Sequence, residues 1–212
     1  MELATRAWFN DNLESRNFYV PGVIANILLI ITLVLTSMAV VREKEIGTIE
    51  QIIVTPIRQF EFILGKMIPF ILIAFVDVLL VTAIAIFWFE VPLRGSLTLL
   101  LGATALYLMS TLGVGLLIST VSSTQQQAMM TTFFFFLPAV LLSGFIFPIA
   151  SMPVPVQWLT FLNPLRYFLV IVRDIFMKGV GLETFWREAL ALLAWGLGIL
   201  TLATLRSSKR LA

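Results

Sequence analysis

Twelve acidic and fourteen basic side chains, with no histidine and no cysteine, set the chemistry open to this chain. Without Cys there are no disulfides, thiolate metal sites or thiol nucleophiles. Without His, imidazole-based zinc sites and Ser-His-Asp relays are excluded. A reaction would have to run on carboxylates, Lys, Arg, Tyr and hydroxyls. A carboxylate mechanism needs acids converging at one depth, and Asp77 is the one acid expected inside an apolar span. A membrane-embedded enzyme acting on lipids is therefore the weakest reading. No metal site and no bound cofactor are expected. Charge is instead gathered in one place: residues 41–66, "VREKEIGTIEQIIVTPIRQFEFILGK", hold Arg42, Glu43, Lys44, Glu45, Glu50, Arg58, Glu61 and Lys66.

The elements around that segment are apolar. With 59% hydrophobic residues, 12% charged residues and a mean hydropathy of +1.01, the chain carries more apolar surface than a soluble fold could bury. Runs of about 20 apolar residues indicate bilayer-spanning helices. The expected fold is an all-α integral membrane protein with five transmembrane helices, at about 20–41, 68–89, 96–120, 128–147 and 189–205. No charged residue occurs between Arg94 and Arg166, and "SSTQQQ" (122–127) links two of the spans. The stretch 147–168 holds four of the nine prolines together with Trp158 and Tyr167. Proline leaves backbone groups unpaired, which hydrocarbon tolerates only under a cover of protein. This pattern fits short re-entrant helices, with an ordinary interfacial loop as the other reading. The small net charge of +2, without a long basic patch, excludes nucleic acid as a partner. Lys and Arg are shared evenly between the two membrane faces. The short loop 42–66 tips the balance towards a cytoplasmic placement of that segment.

At 100° per residue, Ile46, Ile49, Ile53, Ile57 and Phe60 fall on one helical arc, and Lys44, Thr48, Gln51 and Thr55 fall opposite. Glu43, Gly47 and Glu50 lie between, and Pro56 ends or kinks the helix. Such a helix, at about 43–57, lies along a membrane surface. Its polar face mixes acids, bases and small residues. It therefore suits a protein groove, or a solvated connector with no partner, better than an anionic lipid surface.

The same residues carry a family resemblance. "REKEIGTIEQIIVTPIRQFEFILGK" resembles the loop after the second span of ABC type-2 permeases, the membrane subunits of ATP-driven exporters. The shared pattern is a mixed-charge cluster, Gly-Thr-x-Glu-Gln, a Thr-Pro turn, and Gly-Lys opening the next span. "VPGVIANIL" resembles the start of that second span, and "FLNPLRYF" (161–168) the motif before the last one. The resemblance extends over about residues 18–210. It implies that residues 43–57 are a cytoplasmic coupling helix, with Glu43, Lys44, Gly47, Thr48, Glu50, Gln51, Thr55 and Pro56 meeting an ABC ATP-binding subunit. It implies re-entrant helices on the outer side carrying Asn163, Pro164, Arg166 and Tyr167. It further implies a type-2 transmembrane domain at 20–206, a cytoplasmic tail at 207–212, and a second permease subunit as partner. Residues 1–19 resemble the end of the family's extracytoplasmic segment, so a first span is expected upstream. The chain has no GxxxxGK[ST] phosphate loop. ATP and Mg would thus be held by the partner, in a bacterial cytoplasmic (inner) membrane. A non-transporting truncated scaffold is the runner-up.

Two further features remain. Asp77 lies about 12 Å into its span at 1.5 Å per residue, where an ionisable group points to function or to a carboxyl that fixes packing. Phe133, Phe134, Phe135 and Phe136 surround the fourth span, so some face lipid while others could line a path for a hydrophobic or amphipathic substrate. Gly102, Ala105, Ser110, Gly113 and Gly115 predict close helix approach.

Overall fold

A computed structural model describes the backbone of residues 15–47 and 59–211. Among the described residues every regular element is a helix. Four long ones are α1 (Ser15–Ile46), α2 (Gln59–Phe87), α3 (Leu97–Val121) and α7 (Leu182–Leu211). Between α3 and α7 run α4 (Gln125–Leu141), a 3-10 turn (Ile149–Ser151), α5 (Val154–Thr160), α6 (Pro164–Arg173) and a π-helical turn (Asp174–Lys178). Stretches within α1, α2, α3 and α7 are long and apolar enough to cross a membrane: Arg16–Ile46, Leu64–Phe87, Leu97–Val121 and Leu182–Ala203. The fourth expected span is represented by α4. Its 17 residues measure about 25 Å at 1.5 Å per residue, short of a hydrocarbon core of about 30 Å. The chain leaves α4 at Leu141 because Gly144 takes φ +82°, a left-handed conformation that suits glycine.

α1 and α7 run parallel to α3, whose spanning stretch is 67% buried against 22% for α2 and α7. α3 packs on α7, α1 and α6, while α2 leans mainly on α1. Apolar side chains gain little by leaving lipid for a helix interface, so close approach and interhelical hydrogen bonds hold such contacts together. Three of the expected small residues serve this end. A Cβ on Gly113 would lie 2.7 Å from Ile199 of α7, and one on Gly115 would lie 2.7 Å from Thr36 of α1. Ser110 donates to the Leu192 carbonyl across the same α3–α7 seam, at 3.5 Å. Gly102 has open space beside it and takes no part. Unforeseen, Gly196 completes the seam from the α7 side, its Cβ position being 2.8 Å from Met109. The Ser37 and Thr132 hydroxyls join α1 to α4 at 2.9 Å.

At the end of the bundle opposite Gly47, the proline-rich stretch folds inward. The turn between α5 and α6 meets α7 at Trp195, whose indole N–H donates to the Phe161 carbonyl. Trp195 lies thirteen residues from the start of α7, about 20 Å along the helix. Asn163 caps α6 by accepting from the Leu165 N–H (3.1 Å) and donates through Nδ2 to the Ala139 carbonyl of α4 (2.6 Å). From there α6 climbs back, burying Leu165, Phe168, Leu169, Ile171 and Val172. Phe168 stacks on Tyr107 of α3 with centroids 4.2 Å apart and planes 5° from parallel. The π-helical turn then ties to the start of α3: the Gly95 N–H donates to the Ile175 carbonyl (2.9 Å) and the Arg94 N–H to that of Phe176 (3.2 Å).

Candidate functional site

The charged segment begins within α1. A separate helix was expected to start at residue 43, but α1 continues through Glu43, Lys44 and Glu45 to Ile46. Gly47 ends it, with φ +82° and its N–H donating to the Glu43 (3.1 Å) and Lys44 (3.3 Å) carbonyls. A glycine at this C-terminal position avoids the Cβ clash that other residues meet in the left-handed region. The extension of α1 relocates two expected docking residues. Glu43 and Lys44 lie in the last turn of α1 and reach towards neighbouring helices instead of occupying a surface helix of their own. Thr48, Glu50, Gln51, Thr55 and Pro56 lie outside the described residues.

Each charge in that last turn has a destination on another helix. The Lys66 Nζ of α2 donates to Glu43 Oε1 at 2.8 Å and to the Ala39 carbonyl at 2.6 Å, with both side chains about three-quarters buried. Lys44 Nζ donates to the Ser119 carbonyl in the last turn of α3, at 2.7 Å. Glu45 Oε2 accepts from the backbone N–H (3.3 Å) and Nε2 (2.8 Å) of Gln125, the first residue of α4. Both terminus contacts have the favourable sign: a cation meets free carbonyls at a helix C-terminus, and an anion meets free N–H groups at an N-terminus. Sequence reading singled out the run Glu43-Lys44-Glu45 as a charge cluster. It did not find Ser119 or Gln125, which no local pattern marks.

The other expected positions are dispersed. Asp77 is half-buried on α2, and its Oδ2 is buried without a hydrogen-bond partner. Phe133 and Phe134 are exposed, the latter at 80%, while Phe135 and Phe136 pack against the core. Pro164 is buried in the first turn of α6. Arg166 lies over the Phe161 ring, 4.1 Å from its centroid, and its Nη1 donates to Thr160 Oγ1. The Tyr167 hydroxyl donates to the Phe161 carbonyl at 2.9 Å. Asn163, Arg166 and Tyr167 thus converge on one turn, far from the charged end, and Asp77 belongs to neither group. Among the described residues no cluster of acids has metal-ligand spacing.

Asp77→Asn is expected to leave the amount of folded protein in the membrane unchanged, because the amide keeps the size and polarity of the carboxyl. Membrane abundance checks this, and a marked fall would mean that the carboxyl itself is needed for folding.

The sequence pattern of ABC-2 type transporters matches residues 3–177. The chain belongs to that family. Among its curated relatives, the Escherichia coli (strain K12) protein named "Probable multidrug ABC transporter permease YbhR" is 39% identical over 203 residues, 96% of this chain and 54% of the relative. YbhS, named in the same terms, is 37% identical over 212 residues, covering 100% of this chain and 56% of its own length. The "Inner membrane transport permease YhhJ" from the same strain is 32% identical over 214 residues, 99% of this chain and 56% of the relative. The chain thus spans about half the length of these relatives. Membership in a family of membrane transporters agrees with the four long apolar helices, and the protein is an integral, multi-pass membrane protein.

Proposed function

We propose that this ABC-2 family chain works as the membrane-spanning permease subunit of an ATP-driven exporter in a bacterial inner membrane. The observation that carries the reading is the charged end of the bundle. There α1 stops at an open, exposed glycine, beside an ion pair to α2 and the helix termini of α3 and α4. An exporter of this kind needs such an end, where a partner's motion can enter several helices at once. Residues 48–57, with Gly47, form the coupling element that seats in the ATP-binding subunit, and Glu50 and Gln51 supply its polar contacts. ATP and Mg bind that partner.

A second permease subunit completes the translocation path. Exposed apolar faces on α2 (Leu72, Val76, Leu80) and at Phe133 and Phe134 of α4 are available to that copy, to substrate and to lipid. The charge-free stretch between Arg94 and Arg166 favours a hydrophobic or amphipathic, drug-like substrate. The inward fold of α5 and α6 supports their reading as re-entrant helices on the outer side. In that arrangement α4 crosses only as far as Leu141, and the Asn163 turn fills the remaining depth.

The test is co-purification of the permease with its ATP-binding subunit, followed by ATPase assays with candidate amphipathic drugs. Retention of the subunit with drug-stimulated hydrolysis is expected. Retention without stimulation or transport would favour a scaffold.

A further inference from the structure

We infer that Glu43, Lys44 and Glu45 form a three-way transmission hub, through which displacement of the segment after Gly47 reaches α2, α3 and α4 together. The inference rests on the exporter reading and deepens it. The three residues are consecutive, so at 100° per residue they point in three directions from one helical turn. Each finds a different helix: Glu43 pairs with Lys66 of α2, Lys44 holds the Ser119 carbonyl of α3, and Glu45 holds Gln125 at the start of α4.

The hub is specific in kind. The Ser119 carbonyl lies in the last turn of α3, where carbonyls lack helical partners. The Ser122 N–H takes the Ile118 carbonyl, leaving that of Ser119 to Lys44. The Gln125 N–H is likewise among the first of α4, and Thr124 caps Gln127 instead. Lys44 and Glu45 therefore satisfy end groups that the helices' own caps, Ser122 and Thr124, leave to others, and α1 grips both helices across the short turn at 122–124. Elsewhere, α4 meets α1 through the Ser37–Thr132 hydroxyl pair, about two turns deeper along α1. Tilting the last turn of α1 cannot leave α3 and α4 in place unless these contacts break. The three residues are positioning residues: they act on the path through the helices they hold and do not touch substrate.

The experiment uses the permease purified with its ATP-binding subunit and reconstituted into vesicles, measuring drug transport per ATP hydrolysed. Lys44→Met removes the cation at nearly constant length, and Glu45→Leu removes the acceptor at an exposed site. Each is expected to lower transport per ATP by about fivefold or more, the scale of a coupling free energy. Membrane abundance and the amount of bound ATP-binding subunit should stay unchanged. Lys44→Arg and Glu45→Gln keep the donor and the acceptor and should restore the ratio. A merely structural role would reduce transport and hydrolysis in proportion, and that result overturns the proposal, as does an unchanged ratio in both loss variants. If Lys44→Met fails to accumulate, the exposed Glu45 pair of variants decides alone. Failure of the exporter reading is separately visible, because the unaltered chain would then retain no ATP-binding subunit.

Discussion

Gly47→Trp is expected to leave the protein in the membrane while stripping it of the proposed ATP-binding subunit. Two costs have to be compared. Within the chain, a Cβ at Gly47 meets no atom within 4 Å, so a side chain there starts out from open space. The internal cost is conformational: a non-glycine residue held at φ +82° loses roughly 1–2 kcal/mol. That is tolerable for a helix end already held by Lys66, Ser119 and Gln125. Against a partner the cost is steric, because the indole occupies the point where α1 gives way to the proposed coupling element. Co-purified ATP-binding subunit should fall by about tenfold or more, equivalent to at least about 1.4 kcal/mol of affinity, and transport should fall with it.

Gly47→Asn separates the two costs. Asn is among the few side chains that enter the left-handed region readily, and it is small, so this variant should keep most of the partner and the transport. The ratio of subunit to permease on a gel, beside the abundance of folded permease, is the measurement. If Gly47→Trp retains both partner and transport, the segment is a solvated connector.

The second large effect is expected at Asn163 and concerns stability. Its side chain caps α6 through Oδ1 and holds α4 through Nδ2, and the residue is only 7% exposed. Removing a cap costs about 1 kcal/mol. Leaving the Ala139 carbonyl without this donor in a buried setting adds roughly 1–3 kcal/mol. Asn163→Ala should therefore destabilise the protein by about 2–4 kcal/mol, read as a lower thermal midpoint in detergent. Asn163→Ser keeps a capping oxygen but is too short to reach α4, so it should show about half the loss. Equal losses in the two variants would mean that capping contributes little, and no loss in either would mean that water replaces both bonds. Because α6 also carries Phe168 onto Tyr107, the α6 contacts with α3 and α1 should loosen together in the Ala variant.

Much of this molecule is readable along the chain. The positions of the long helices follow from unbroken apolar runs, a local property, and four of the five expected spans lie within helices of spanning length. The α3 stripe of small residues announced close packing, and Gly113 and Gly115 deliver it. The mixed-charge run and its glycine marked the end of the bundle where the charged contacts gather. The "FLNPLRYF" motif marked Asn163, Arg166 and Tyr167, which do gather around one turn.

What the tertiary structure decided was where side chains go once a helix continues past its apolar stretch. Hydropathy ends the first span at Val41, because charges begin at Arg42. The backbone does not stop there, since Glu43, Lys44 and Glu45 reach groups 23, 75 and 80 residues away in sequence that satisfy them. Periodicity could assign those residues to a surface helix because it weighs only polarity, and a lysine looks the same to it in water or against a carbonyl. The short α4 has the same origin: its apolar run continues to Phe147, but Gly144 at positive φ and the Asn163 bond to Ala139 turn the chain inward. Apolar length sets how far a helix can extend, while contacts with distant segments decide where it stops and which helices its end can hold.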